Sequence, residues 1–240
     1  MNSFYACILA GGMGTRLKQT IGQLPKALAP IAGRPFITYL LNNLASASVS
    51  NAIVCTGYLA DQVEAALSDN YGGIGLSYSQ EHSPLGTGGA LRNALPLIGS
   101  DPFLVVNGDS LCFVDFSGFL AAHRARRAAV SMVLVSMPDC SRFGSVTIDD
   151  SGRVLRFEEK GGNKGPGLIN AGIYLMDKSV AASIPKGVEF SLEYGLFPSL
   201  LGKDFYGFVY NGPFFDIGTP ESFKETNRYF ERQSLQRTGT

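Results

Sequence analysis

Between residues 4 and 106 the chain alternates short apolar runs with stretches of helical spacing, a pattern that few folds outside the α/β class accommodate. Residues 4–10, 52–56, 74–79 and 103–106 are apolar and short, as buried strands are. Between them, Ile37, Leu40, Leu41 and Leu44 recur at i, i+3, i+4 and i+7, with Pro35 at a plausible first helical position. Residues 61–67 and 88–97 also read as helices. Such alternation predicts a mainly parallel sheet with covering helices. The second half changes texture. Residues 130–135, 144–148, 154–158 and 168–176 read as strands, 149–152 as a hairpin turn, and 191–200 and 221–232 as helices. No linker or repeat separates the halves. The expectation is one Rossmann-like α/β domain over residues 1–232, with a mixed, mainly parallel sheet, halves of 1–110 and 111–232, and a frayed tail at 233–240.

Composition narrows the function classes. With 45% hydrophobic and 17% charged residues in 240, the chain has ample material for a core. Its formal net charge is zero, so bulk charge gives no argument for nucleic acid or an anionic membrane, and any anion site must be local. The N-terminus lacks a basic segment, and Gly11 and Gly12 break its apolar run early, so no signal peptide is expected. The apolar stretch 128–137 is too short to span a bilayer. The four cysteines form no C-x-x-C pair and read as buried thiols suited to the cytoplasm. With only His82 and His123, zinc chemistry and a Ser-His-Asp hydrolase both lack support.

The local anion site is suggested by "LAGGMGTRLKQTIGQLPKAL", residues 9–28. A glycine turn after a buried strand exposes backbone N–H groups, and Arg16, Lys18 and Lys26 could neutralise an anion held there. It is neither a P-loop nor a dinucleotide fingerprint. Gly14 is followed by Thr15 and Arg16 rather than Lys-Ser/Thr, and Leu17 stands where the third fingerprint glycine belongs. Ligands of open α/β sheets bind beyond the carboxyl ends of the strands, and the unusual residues collect there: Asn107-Gly108-Asp109, Glu158-Glu159-Lys160, Asn170-Ala171-Gly172 and Asp216-Ile217-Gly218-Thr219. Asp109 and Asp216 taken singly read as turn and cap residues. Beside a phosphate loop they suggest one Mg²⁺ shared between two carboxylates and substrate phosphates.

These segments resemble, in order, the motifs of the sugar-1-phosphate nucleotidyltransferases: "LAGGMGTRL", "LPKAL", "PLGTGGAL", "VNGDS", "FEEK", "INAGIY" and "FDIGTP". The resemblance covers about residues 4–230, with one departure, Pro-Lys-Ala where most relatives have Pro-Lys-Pro. "EHSPLGTGGAL", "RFGSV", "GLINAGIY" and "FSLE" are most similar to the D-glycero-α-D-manno-heptose 1-phosphate guanylyltransferases within that family. The resemblance implies the nucleotidyltransferase fold and transfer of a nucleotidyl group, GMP from GTP favoured, to a sugar 1-phosphate. Mannose 1-phosphate, or uridylyl or thymidylyl transfer, is the alternative. It implies nucleotide contacts from Leu9, Ala10, Gly11, Gly12, Gly14, Thr15, Arg16, Gly86, Thr87 and Gly88, with Arg16 on the leaving pyrophosphate and Lys26 at the transferred phosphate. It implies Lys160 on the sugar phosphate, Asn107, Glu158, Asn170, Gly172 and Glu193 around the sugar, and Mg²⁺ on Asp109 and Asp216. A base reader is expected near Glu81, whose ionised carboxylate could accept both N1–H and N2–H₂ of guanine. Gln80 or main-chain groups of Gly86 to Gly89 are the alternatives. An inactive regulatory relative would be expected to have lost some of these charged residues. A metal-dependent glycosyltransferase would be expected to carry Asp-x-Asp, whereas Asp109 is followed by Ser110 and Leu111.

Overall fold

The computed structural model describes residues 4–12, 14–159 and 165–238. Strand β1 (Phe4–Leu9) runs into the glycine turn, a short helix α1 (Lys18–Ile21), and a small ribbon of β2 (Pro30–Ile31) and β3 (Arg34–Pro35). Helix α2 (Phe36–Ser46), β4 (Val49–Thr56), α3 (Ala60–Leu67), β5 (Asn70–Tyr71), β6 (Ile74–Gln80), α4 (Gly86–Ala94) and β7 (Phe103–Asn107) complete the alternating half. Pro35 is the residue before α2 rather than its first, a shift of one position.

The remainder comprises β8 (Ser110–Cys112), α5 (Phe116–Ala125), β9 (Val130–Met137), β10 (Ser145–Ile148), β11 (Val154–Glu158), β12 (Gly167–Met176), α6 (Lys178–Ser183), α7 (Phe197–Ser199), β13 (Phe205–Tyr210), β14 (Phe214–Asp216) and α8 (Pro220–Thr238). The expected helix over 191–200 is instead a π-helical turn, Leu192–Leu196, followed by α7. Its start is as predicted, with Ser191 Oγ accepting from the N–H groups of Glu193 and Tyr194. The last helix continues to Thr238, past Arg232, so residues 233–238 are helical where a frayed tail was expected.

Ten strands form one mixed sheet in the order β11-β10-β12-β7-β1-β4-β6-β5, with β9 pairing β12 and β13. The parallel core β7-β1-β4-β6 is the part read from alternation. Successive residues of β1 serve opposite faces, Ala6 and Ile8 packing in one apolar cluster and Cys7 in the other. All four cysteines are buried and free. Among the described residues no helix is long and apolar enough to cross a membrane.

Two features aim residues at the carboxyl ends of the parallel strands. Strand β12 pairs β10 through Leu168 and Ile169, then β7 from Ile173 onward. Its register against β9 shifts between Asn170 and Tyr174, so a bulge sits where the neighbour changes. Gly172 lies there at φ +74°, and a side chain on it would fall 2.6 Å from Asn107 Nδ2 and 2.8 Å from Ser110 Oγ. Separately, β14 pairs β8 with Asp216 opposite Ser110, and the Ile217 N–H donates to the Asp109 carbonyl at 3.0 Å. Two aspartates far apart in sequence are thereby fixed side by side.

Candidate functional site

Two cavities open at the ends of β1, β4, β6 and β7, and they share Lys26, Asn107 and Asp109. The smaller, about 550 Å³, is floored by Leu9, Ala10, Gly11 and Gly12 and walled by Glu81, Gly86 and Thr87. The larger, about 640 Å³, takes Gly14, Thr15 and Arg16 on one side and Asn170, Gly172, Glu193 and Asp216 on the other.

The glycine loop is tied down by Leu17, which is fully buried and donates its N–H to the Gly14 carbonyl. Gly14 takes φ +57° and passes close to Lys26, whose side chain turns into the shared zone. There Lys26 Nζ meets Asp109 Oδ2 at 2.5 Å. Asp216 is held at both oxygens: Oδ1 accepts from the Gly218 N–H at 2.6 Å, and Oδ2 faces Arg142 Nη2 at 3.3 Å. Arg142, in the "RFGSV" motif, was not assigned a role from sequence. Its link to Asp216 spans 74 positions, and no spacing rule signals it. Among the described residues no cluster of three or more His, Cys, Asp or Glu side chains gathers to hold a metal; Asp109 and Asp216 line the larger cavity together with Glu159 and Glu193.

Glu81 projects into the base of the smaller cavity. Its Oε2 accepts from the Leu85 N–H at 3.1 Å, while Oε1 lies in the space that glycines at 11 and 57 leave open. Burial raises its pKa above the usual carboxylate value, partly offset by the Leu85 hydrogen bond. His82 also lines this cavity. Two glycines of "PLGTGGAL" spend their N–H groups within the fold. The N–H groups of Gly88 and Gly89 both donate to the Phe190 carbonyl, at 2.8 and 3.0 Å. Gly88 is thus buried against the 188–192 segment and does not line either cavity, whereas Gly86 and Thr87 do. Thr87 Oγ1 donates to Glu193 Oε2 at 2.7 Å, bridging the two cavities.

In the larger cavity, Asn170 Oδ1 accepts from the Gly172 N–H and its Nδ2 donates to Tyr174, which fixes its direction at the bulge. Asn107 Oδ1 is buried without a hydrogen-bond partner among the described residues. Glu158 does not reach this cavity. It pairs with Arg156 at 2.5 Å and faces a separate recess on the other side of the strand end, while Glu159 lines the site. Lys160 lies outside the described residues.

Comparison with known proteins follows the same outline. Residues 5–233 match the family described as "Nucleotidyl transferase". The chain is 35% identical over 224 residues to the D-glycero-α-D-manno-heptose 1-phosphate guanylyltransferase of Aneurinibacillus thermoaerophilus, covering 93% of this chain and 96% of that one. It is 39% identical to the mannose-1-phosphate guanylyltransferase of Mycobacterium tuberculosis, covering 91% of this chain and 62% of that protein. HddC from Yersinia pseudotuberculosis, whose crystal structure complexed with GMP-PN is known, superposes with TM-score 0.84 at 34% identity, covering 95% of this chain and 99% of that one.

Proposed function

The chain belongs to the nucleotidyl transferase family, and we propose that it moves GMP from GTP to a sugar 1-phosphate, D-glycero-α-D-manno-heptose 1-phosphate being the favoured acceptor, releasing pyrophosphate. The observation that carries this reading is the pair of cavities joined at Lys26, Asn107 and Asp109. A nucleoside triphosphate fits with its base in the smaller cavity and its phosphates across the junction, and an acceptor fits in the larger. Most of the smaller cavity comes from residues 1–110, whereas the acceptor wall draws on 111–232.

An acceptor phosphate oxygen attacks the α-phosphorus of GTP, forming one O–P bond as the bond to the β-phosphate oxygen breaks. A phosphate monoester with second pKa near 6 is already largely dianionic at pH 7, so no side chain need remove a proton. The work left to the protein is alignment and charge. Backbone of Gly11 and Gly12 approaches the nucleotide closely, Arg16 faces the leaving pyrophosphate, and Lys26 stands at the junction where the bond changes. Asn170 and Glu193 present hydrogen-bonding groups to the sugar, and Lys160 is assigned to its phosphate. The donor set at Asp109 and Asp216 fits Mg²⁺, because two neighbouring carboxylates plus substrate phosphates are what that ion takes. When bound there it would neutralise phosphoryl charge. At the base end, Glu81 offers an acceptor edge that matches the two adjacent donors of guanine. Four free thiols and a nucleotide substrate suit the cytoplasm. Pyrophosphate release across a matrix of GTP, UTP, dTTP and ATP against heptose, mannose and glucose 1-phosphates tests the assignment. GTP with the heptose phosphate is expected to be fastest, and preference for UTP or dTTP would refute guanylyl transfer.

A further inference from the structure

We propose that Arg142 is a ligand of the acceptor's phosphate, stored on Asp216 and released from it when that carboxylate is taken up by a divalent cation. The proposal rests on the nucleotidyl-transfer reading above. Arg142 lies between β9 and β10, on the back-half wall of the larger cavity, and does not line the base-end cavity. Its side chain is 46% exposed, with the guanidinium carbon 5.4 Å from the Phe143 ring centroid. Both of its hydrogen bonds among the described residues use Nη2: one reaches Asp216 Oδ2 at 3.3 Å and the other Thr219 Oγ1 at 3.2 Å. Among the described residues the remaining donors of the planar fork make no hydrogen bond, Arg142 lines the larger cavity, and such a fork matches a phosphate bidentately.

The charge inventory gives the reason for storage. Three cationic side chains and four carboxylates line this cavity among the described residues. With two of those cations, Lys26 and Arg142, already paired to Asp109 and Asp216, an approaching dianion meets a wall with little free positive charge. Asp216 Oδ1 is committed to the Gly218 N–H, so Oδ2 is the oxygen open to a cation, and it is the oxygen Arg142 uses. A divalent ion there repels the guanidinium and competes for the same lone pairs. Arg142 is then free to turn to the incoming phosphate. Engagement of Asp216 and affinity for the acceptor are thus coupled through one side chain.

Calorimetric titration of the full chain with D-glycero-α-D-manno-heptose 1-phosphate tests this, with and without Mg²⁺ and the non-transferring analogue α,β-methylene-GTP. In the parent, metal plus analogue should raise acceptor affinity about tenfold or more, the scale of a charge-assisted bidentate pair. Arg142→Ala should lose that gain while keeping its circular dichroism spectrum and its Mg²⁺-analogue affinity within about threefold, and Arg142→Lys should recover part of it. If Arg142→Ala weakens Mg²⁺-analogue binding and leaves acceptor affinity at saturating analogue unchanged, Arg142 only orients Asp216 and the proposal is overturned. Metal-independent acceptor binding in the parent overturns the release step. Normal analogue binding with no acceptor binding in the parent overturns the sugar-phosphate reading itself.

Discussion

Gly11→Ala perturbs the placement of Glu81 in the nucleotide cavity, and Gly12→Ala controls for crowding of the nucleotide itself. The glycine does not need the left-handed region, so alanine fits its backbone, and the fold should survive with a change within about 1 kcal/mol. The new methyl group would lie 2.6 Å from Glu81 Oε1, and real contacts of this kind essentially never fall below 3.0 Å, so the carboxylate must retreat by about 0.4 Å or rotate away. Gly57 flanks the same oxygen, since a Cβ added there would also fall 2.8 Å from Glu81 Oε1. Retreat also stretches the Leu85 N–H bond to Oε2, now 3.1 Å. Losing well-aligned hydrogen bonds to a charged group costs about 1.5–3 kcal/mol, which lowers kcat/KM for GTP by about 10- to 150-fold. UTP, which gains nothing from the carboxylate, should fall far less, so the GTP:UTP ratio collapses. Gly12→Ala meets no atom within 4 Å and is the steric control: it should slow all nucleoside triphosphates alike. Mixed-nucleotide competition assays measure both. If Gly11→Ala keeps GTP kcat/KM within about threefold and leaves the ratio unchanged, Glu81 is not the base reader.

Asp109→Asn and Asp216→Asn should each lower turnover by about a hundredfold or more, raise the Mg²⁺ concentration needed for half-maximal rate, and leave the circular dichroism spectrum unaltered; parent-like activity at limiting Mg²⁺ would remove the shared-metal assignment. Lys26→Ala should lower kcat and kcat/KM together, whereas Arg16→Ala should act more through the KM for GTP, and an identical kinetic signature for the two would contradict their separate roles. Stability should also respond to His123, which is buried, shares a hydrogen with Ser131 Oγ at 2.9 Å, and has its pKa lowered by burial against an opposing pull from Asp177. The unfolded chain takes up that proton near pH 6.5, and the folded chain only at lower pH. The contribution is therefore complete above about 6.5 and is lost as pH falls from there through the folded value. Denaturant titrations between pH 8 and 5 should show this slope in the parent and a weaker one in His123→Gln.

The parallel core was legible because each of its strands is an apolar run and each covering helix repeats at helical spacing. What escaped was set by partners distant in sequence. Helix α5 carries Phe116, Phe119 and His123 on its buried face, but Gly118 and the small residues between them dilute that signal. Strands β8 and β14 are three residues each, too short for any periodicity, yet their pairing is what sets Asp109 beside Asp216. In "FEEK" the sequence cannot say which glutamate faces the cavity. That depends on the pairing of Glu158 with Ser145 on β10 and on alternation along the strand, which sends Glu159 inward. The glycines at 88 and 89 read in sequence as part of a main-chain reader of the base. In the fold they make room for the Phe190 backbone, which no local rule anticipates.

The central claim is that the α-phosphoryl group travels with the nucleoside to the sugar. Incubating the protein with heptose 1-phosphate, Mg²⁺ and GTP labelled with ³²P at either the α or the γ position tests it directly. The account predicts α-label in a sugar nucleotide that resists phosphatase and γ-label in pyrophosphate, with both signals lost in Asp109→Asn. Label from the γ position appearing on the sugar, or α-label accumulating only as free GMP, would contradict it.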